Sequence, residues 1–496
     1  MSIHVRNFIA GSWVESRDGR TFVSLNPADT RKTIATVSLS QKEDVDRAVF
    51  AARQAFHGWR LTPAPRRGEI LYRAGELLIG KKNRLGELVT SEMGKVLPEG
   101  LGDVQEAIDM AFFMAGEGRR LHGETAPSEL PDKDCKTVRE PIGVMALVTP
   151  WNFPIAIPAW KIFAALICGN TVVLKPSSLT PACAAALVEV MQEAGLPAGV
   201  LNMVCGPGEE IGEYLATHAD IDAVSFTGSC DAGERLEGLL GGMHRPVAAE
   251  MGGKNAIIIM DDADLSLALE GVLWGGFGTS GQRCTAASRI VVHENIYEPF
   301  IEKLRVASQK LRLGGGLRNE THVGPVVSEQ QLKKIMEYIE IGIVEGAQLV
   351  TGGNRFTDGD CAYGYFIEPT IFAGVEPGMR IAREEIFGPV VSILKSSCLD
   401  EAISIVNGVP FGLSASIYSR NVNVTARAER DLQTGLVYIN ASTIGAEIQL
   451  PFGGWKHSGS GHPEAGGKGG ALDFYSRIKV IYRDFSGKLQ KAQIDK

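Results

Sequence analysis

One cysteine differs from the others in its surroundings. Cys284 lies in Thr279-Ser280-Gly281-Gln282-Arg283-Cys284-Thr285, a polar, glycine-containing stretch between a predicted helix and a predicted strand. A neighbouring arginine favours the thiolate, the form of cysteine that attacks carbonyl carbon. The segment therefore offers a nucleophile, set against the plain alternative of a buried thiol. A nucleophile also needs a base and a place where negative charge can develop. Glu250 offers the base: it ends the apolar run 246–249 and precedes Met251-Gly252-Gly253, a turn that projects it from the strand's carboxyl end, though a glutamate beside a turn is as readily a solvated one. Asn152, in Pro150-Trp151-Asn152-Phe153-Pro154, offers an amide to an oxyanion. Between two prolines it serves equally well as a turn former.

A second group of residues suits a phosphate. Phe226-Thr227-Gly228-Ser229, with Gly233 beyond, falls where a predicted strand gives way to a helix, so free N–H groups and the helix dipole can receive a pyrophosphate. Gly206-Pro207-Gly208 with Gly212 lacks the spacing of the G-x-G-x-x-G fingerprint. Lys175 closes the apolar run 171–174, on the carboxyl edge where open α/β sheets bind ligands.

The elements that must position these groups alternate from residue 143 onward. Strands are predicted at 144–148, 171–174, 200–204 and 223–226, with helices over 157–168, from 180, from about 209 and after 229. A second block follows: a strand at 255–260, a helix near 264–277, a strand at 290–293 and a helix over about 295–312. Short, nearly continuous apolar strands alternating with helices predict parallel sheets covered on both faces, here in two α/β units with a cleft between them. The stretch 121–140, with its prolines and mixed charges, reads as an excursion from the first sheet; the β-type residues of 471–484 are candidates to pair with it or with another subunit.

Composition sets the outer limits. The chain has 496 residues, 44% hydrophobic and 22% charged, which is ordinary for a folded soluble protein of two or more domains. Lys+Arg at 50 against Asp+Glu at 58 leaves a net charge of −8, giving no overall pull toward nucleic acid or an anionic membrane. No apolar run reaches bilayer length, and the opening residues resemble no export or transit signal. The eight cysteines form neither CxxC pairs nor Cys/His clusters, so no metal is expected, and reduced thiols in the cytoplasm are.

Taken together the segments PWNFP at 150–154, LKPSS at 174–178, FTGS at 226–229, EMGGKN at 250–255, GQRCT at 281–285, EEIFGP at 384–389 and PFGG at 451–454 closely resemble, in order, the motifs of the aldehyde dehydrogenase superfamily. The resemblance covers essentially the whole chain. It implies two Rossmann-like doubly wound parallel-sheet domains with a small β oligomerisation flap: a cofactor-binding domain at 1–121 and 142–252, a catalytic domain at 253–470 with a substrate anchor loop at 441–470, and a flap at 122–141 and 471–496. It implies NAD or NADP as cofactor, a small-molecule aldehyde as substrate, and a homotetramer or homodimer. Cys284 becomes the nucleophile, Glu250 the general base and Asn152 the oxyanion donor, acting through a hemithioacetal and then a thioester. Trp151, Lys175, Ser178, Gly208, Gly228, Ser229, Glu385 and Phe387 match cofactor positions. Ser178 departs from the glutamate common in NAD-preferring relatives, which removes repulsion of a 2′-phosphate and leaves NAD and NADP both open.

Within the superfamily, Met93-Gly94-Lys95, Glu99-Gly100, Val104-Gln105-Glu106 and Gly445-Ala446-Glu447-Ile448 resemble the aminoadipate semialdehyde dehydrogenase (antiquitin)-like branch. In that branch Glu106, Arg283, Gly445, Ala446 and Phe452 match positions that grip the far end of the substrate, an acid and an arginine suiting an amine and a carboxylate. A dicarboxylic semialdehyde, succinic or 2-oxoglutaric, would use Arg283 alone. Two readings from other classes remain: a cysteine hydrolase, which would have no use for Lys175, Glu385 or Phe387, and a structural protein without chemistry.

Overall fold

The computed structural model describes residues 2–494. Two seven-stranded sheets form its framework. The first runs Val247–Glu250, Ala223–Thr227, Val144–Val148, Thr171–Lys175, Leu201–Met203, Asn7–Ile9, Ser12–Val14 from edge to edge. From Val247–Glu250 to Leu201–Met203 neighbouring strands are parallel, as the alternation predicts. The amino-terminal hairpin then closes the edge antiparallel, pairing Phe8 with Met203. Val144–Leu147 and Thr171–Lys175 are buried throughout, which is why they read as unbroken apolar runs. The register aligns Val148 with Lys175 and with Phe226, and Thr227 with Glu250. Lys175, Thr227 and Glu250 therefore emerge on one carboxyl edge.

The second sheet runs Gln348–Thr351, Thr370–Ala373, Val390–Ser396, Ala287–His293, Asn255–Ile259, Ser414–Tyr418, Leu436–Ile439. All its pairs are parallel except the first. Asn255 opens this sheet just after Glu250 closes the first, and Cys284 precedes its Ala287–His293 strand. The carboxyl edge of the first sheet thus meets the amino edge of the second across one cavity, lined by Thr227 and Glu250 on one side and Cys284 and Thr285 on the other.

Some boundaries differ from those predicted. The helix expected from about 209 is a π-helical turn, Gly208–Gly212, continuing as Glu213–Thr217. The helix expected to reach 312 ends earlier, as Tyr297–Ser308 behind a short turn at Glu294–Ile296. The excursion and the tail find each other: Ser476–Asp484 pairs along its length with Lys133–Pro141, and Thr125–Pro127 adds a third strand. Asn170 fastens that small sheet to the first large one, accepting from the Ile142 and Gly143 N–H groups at 2.8 and 2.9 Å and donating to the Ala165 and Tyr475 carbonyls at 3.1 and 2.8 Å.

The long helices Ala64–Met93 and Leu97–Glu117 pack against each other so closely that a Cβ on Gly100 would lie 2.6 Å from the Gly86 carbonyl. Val104, Ala107 and Ala111 of the second helix are fully buried in the core, while Glu99, Asp103 and Glu106, at helical spacing, share a stripe beside the cleft. Among the described residues no helix is long and apolar enough to cross a membrane.

Candidate active site

The loop that carries Cys284 is wound against its own preference. Thr279 and Ser280 take φ values of 52° and 55°, followed by Gly281 at 69°. Left-handed backbone at a β-branched threonine is strained and persists only where the surroundings fix it. Here the Thr279 N–H donates to Glu99 Oε1 at 2.8 Å, Ser280 Oγ donates to the Gly324 carbonyl at 2.7 Å, and Gln282 Oε1 accepts from the Val327 N–H at 3.0 Å. Gly281 admits no side chain, since a Cβ would lie 2.1 Å from the Gly388 carbonyl. On the far side of the nucleophile, Asn255 Nδ2 donates to the carbonyls of Cys284 at 2.6 Å and Ala286 at 3.1 Å.

Cys284 lies where two cavities meet. An inner cavity of about 60 Å³ is lined by Cys284, Glu250, Glu106, Arg283, Gly445, Ala446 and Phe452, among others. It adjoins an outer cleft of about 650 Å³ that shares Glu106, Phe153, Arg283 and Gly445 with it. From the other side comes a cavity of about 390 Å³ lined by Trp151, Asn152, Lys175, Ser178, Gly208, Gly228, Ser229, Glu385 and Phe387, with Cys284 at its floor. The catalytic, cofactor and substrate positions named from the sequence all line these connected spaces, whereas Gly206, Gly212 and Gly233 do not.

The third cavity offers a donor set that fits a dinucleotide. Ser229 caps the helix Cys230–Gly241, whose amino terminus opens on the cavity and suits a pyrophosphate. Lys175 is buried, its Nζ 3.0 Å from the Pro176 carbonyl, and burial pulls its pKa down to about 8. At the opposite end the Glu385 carboxylate accepts from the Gly253 N–H at 2.9 Å, in space that a Cβ on Gly252 would occupy. Trp151 and Phe387 stand edge to face at 5.4 Å beside it.

The electrostatics correct one expectation. Arg283 does not activate Cys284. Its Nη2 lies 3.3 Å from Glu99 Oε1 and its Nε donates to Thr279 Oγ1 at 2.8 Å, while its guanidinium faces the rings of Phe153 and Trp274. Both residues line the inner cavity, but the Arg283 guanidinium is held toward Glu99 and Thr279. Burial instead pushes the Cys284 thiol up to about 12, reinforced by Glu464, Glu385 and Glu250 and opposed by the Thr285 N–H. Glu250 is itself raised well above the usual carboxyl range, by burial and then by Glu464, against the Gly454 N–H that donates to its Oε2 at 2.9 Å. Its other oxygen, Oε1, has no hydrogen-bond partner among the described residues. Asn152 Nδ2 donates to the Gln282 carbonyl at 3.2 Å, which holds the amide beside the nucleophile loop.

Several residues that shape the site carry no signal in the sequence. Lys161, inside a helix that is otherwise apolar, pairs with Glu464 at 2.5 Å and donates to Ser225 at 2.7 Å. Glu464 also accepts from Thr227 Oγ1. Asp103 accepts from the Ile155 and Ala156 N–H groups at 3.2 and 2.7 Å and pairs with Lys95 at 3.0 Å; the Lys95 ammonium in turn lies 3.8 Å from the Phe153 ring centre. Only the three-to-four-residue spacing of Glu99, Asp103 and Glu106 hints that these acids act together.

A thiol this heavily protonated reacts slowly when free. Alkylation of Cys284 by iodoacetamide, followed by mass spectrometry of its peptide without cofactor, is expected to accelerate continuously up to about pH 10. A plateau at neutral pH would reveal a preformed thiolate and contradict this electrostatic picture.

The whole arrangement has counterparts. Residues 13–481 match the model of the aldehyde dehydrogenase family. The chain is 42% identical over 476 residues to an alpha-ketoglutaric semialdehyde dehydrogenase of Bacillus subtilis, covering 96% of this chain and 97% of that protein. It is also 42% identical over 476 residues to a 2,5-dioxopentanoate dehydrogenase of Saccharolobus solfataricus, covering 96% and 98%. The crystal structure of a betaine aldehyde dehydrogenase of Staphylococcus aureus in complex with NAD+ superimposes with a TM-score of 0.95 at 36% identity, covering 98% of this chain and 96% of that one. Matched in sequence and in fold along nearly its full length, the chain belongs to the aldehyde dehydrogenase family.

Proposed function

We propose that this enzyme oxidises a carboxylate-bearing semialdehyde, 2-oxoglutaric semialdehyde or a close analogue, to the corresponding acid, with NAD or NADP as acceptor. The observation that carries the reading is the meeting of two cavities at Cys284, one with a dinucleotide donor set and one ending in an arginine. The names of the 42%-identical relatives support the substrate class.

Cys284 adds through sulfur to the aldehyde carbon as its thiol proton passes to solvent water, and the developing oxyanion takes a hydrogen bond from Asn152 Nδ2 and a second from the Cys284 N–H. Trp151, Lys175, Ser178, Gly208, Gly228, Ser229, Glu385 and Phe387 would hold the cofactor, whose nicotinamide supplies hydride acceptance when bound. Collapse of the hemithioacetal leaves a thioester on Cys284. Glu250, through its unpartnered Oε1, takes a proton from water as that water attacks the thioester. Its raised proton affinity suits it to this role. Only the ionised form is a base, so hydrolysis speeds up as pH rises through the raised Glu250 pKa. Burial sets that affinity first, and Glu464, paired with Lys161, adds to it from beside.

Arg283 is the anchor for the carboxylate at the far end. Among the described residues its Nη1 has no hydrogen-bond partner, while Nε and Nη2 are held by Thr279 and Glu99. Gly445, Ala446 and Phe452 close the other side of the inner cavity. The antiquitin-like alternative, an amino-acid semialdehyde, rests on Glu106 lining the same cavity as an acceptor for an amine.

The flap, 122–141 with 471–496, is proposed to bind a second subunit in a homodimer or homotetramer. Ser476–Asp484 is an edge strand whose Ile478, Val480 and Tyr482 are 54%, 52% and 67% exposed, an apolar edge that an isolated chain would leave unpaired. The eight cysteines are all unpaired, which supports a reducing, cytoplasmic setting.

Replacing Glu250 by Gln is expected to leave a burst of about one reduced cofactor per site and to slow steady turnover roughly 10²–10⁴-fold, whereas Cys284→Ala loses burst and turnover alike. An unchanged steady rate in Glu250→Gln, or turnover by Cys284→Ala, would contradict the assignment. Size-exclusion chromatography with light scattering should give a dimer or tetramer; a monomer at micromolar concentration would remove the flap's proposed role.

A further inference from the structure

Glu106 is the one carboxyl at the site whose state the reaction scheme leaves unused. With Phe153, Arg283 and Gly445 it frames the throat between the outer cleft and the inner cavity that holds Cys284. The charges around it come from several elements. Its own helix contributes Glu99, Asp103 and Asp109, the preceding turn Lys95, and the nucleophile loop Arg283. Glu270 and His322 line the outer cleft, and Glu250, Glu464 and Cys284 the inner cavity.

The cations at the throat are already matched. Lys95 is paired with Asp103, and Arg283 with Glu99. Among the described residues Glu106 makes no hydrogen bond and no ion pair, although it is half-buried. Ionised, it would add an unbalanced negative charge directly in the path of an anionic substrate, and like charges at such a contact are strongly disfavoured. Neutral, it is a hydrogen-bond donor at the point where the substrate's far end must sit.

We infer that Glu106 works as an uncharged acid, donating a hydrogen bond to the 2-oxo or carboxylate oxygen of an oxo-acid semialdehyde while Arg283 Nη1 pairs with the carboxylate, so that the throat selects 2-oxo acids over 2-amino acids. This rests on the semialdehyde reading above and specifies how that substrate is recognised. Burial, with Asp103 beside it, raises Glu106 to about 7 against the pull of Arg283 and Lys95, in keeping with an acid that is neutral on the acidic side of physiological pH. The donor is present below that value and is lost as pH rises through it.

The test compares two substrates on the full-length enzyme with its cofactor. The ratio of kcat/KM for 2-oxoglutaric semialdehyde over pentanal, which has no far-end charge, cancels every titration the two oxidations share. In the wild type this ratio is expected to fall roughly tenfold or more between about pH 6 and about pH 9. In Glu106→Gln, which keeps a neutral donor of the same shape, it should stay level near the acid-side value of the wild type. A wild-type ratio that is high but flat with pH, or a Glu106→Gln ratio below the wild type's at every pH, overturns the inference while leaving the semialdehyde reading intact. A ratio near one throughout overturns both.

Discussion

One helix face holds the site in register. Leu97–Glu117 presents Glu99 and Asp103 a turn apart, and each carboxylate binds backbone N–H groups of a different loop. Glu99 fixes the left-handed coil ahead of Cys284, which leads into the second sheet; Asp103 fixes the turn after Asn152, which leaves the first. The two loops come from separate sheets and are joined through this helix, through the Asn152–Gln282 bond and through the Arg283 guanidinium facing the Phe153 ring. Charge-assisted bonds from buried carboxylates are strong and geometrically demanding. Removing either acid would leave backbone donors and a buried cation uncompensated, a far larger cost than losing a surface pair.

Burial of the site, with a different set of acids, also favours protonated groups there. Cys284, Glu250 and Glu385 are all driven toward their neutral forms, first by burial and, for Cys284 and Glu250, by their carboxyl neighbours. The free enzyme therefore stores a thiol rather than a thiolate, and Glu250 holds its proton more tightly than an ordinary carboxyl. Strain sits in the same place: Thr279, Ser280 and Phe387 all take positive φ around the cavities. Such a site is arranged for the charge distribution of a complex, not of the empty protein.

Much of this is legible in the chain because the relevant segments are local. Buried parallel strands leave unbroken apolar runs, and Glu250, Lys175 and Cys284 each lie at the end of an element that the periodicity locates. Pairing across long separations stays hidden. Lys161 and Glu464 meet across 303 positions of the chain, and Phe8 pairs with Met203 through strands of three residues, too short to stand out. Arg283 shows the converse failure. Its position next to Cys284 suggests an electrostatic partner, but a coil of left-handed residues turns its side chain to Glu99, a contact that adjacency alone does not disclose.

At the centre of the proposed function, the inner cavity pairs thioester chemistry at Cys284 with recognition of a distant carboxylate. Initial rates of reduced-cofactor formation address this most directly, with NAD and NADP in parallel and acetaldehyde, benzaldehyde, succinic semialdehyde, 2-oxoglutaric semialdehyde and aminoadipic semialdehyde as substrates. The highest kcat/KM is expected for 2-oxoglutaric semialdehyde. Equal or better turnover of the uncharged aldehydes, or no turnover with either cofactor, would contradict that pairing.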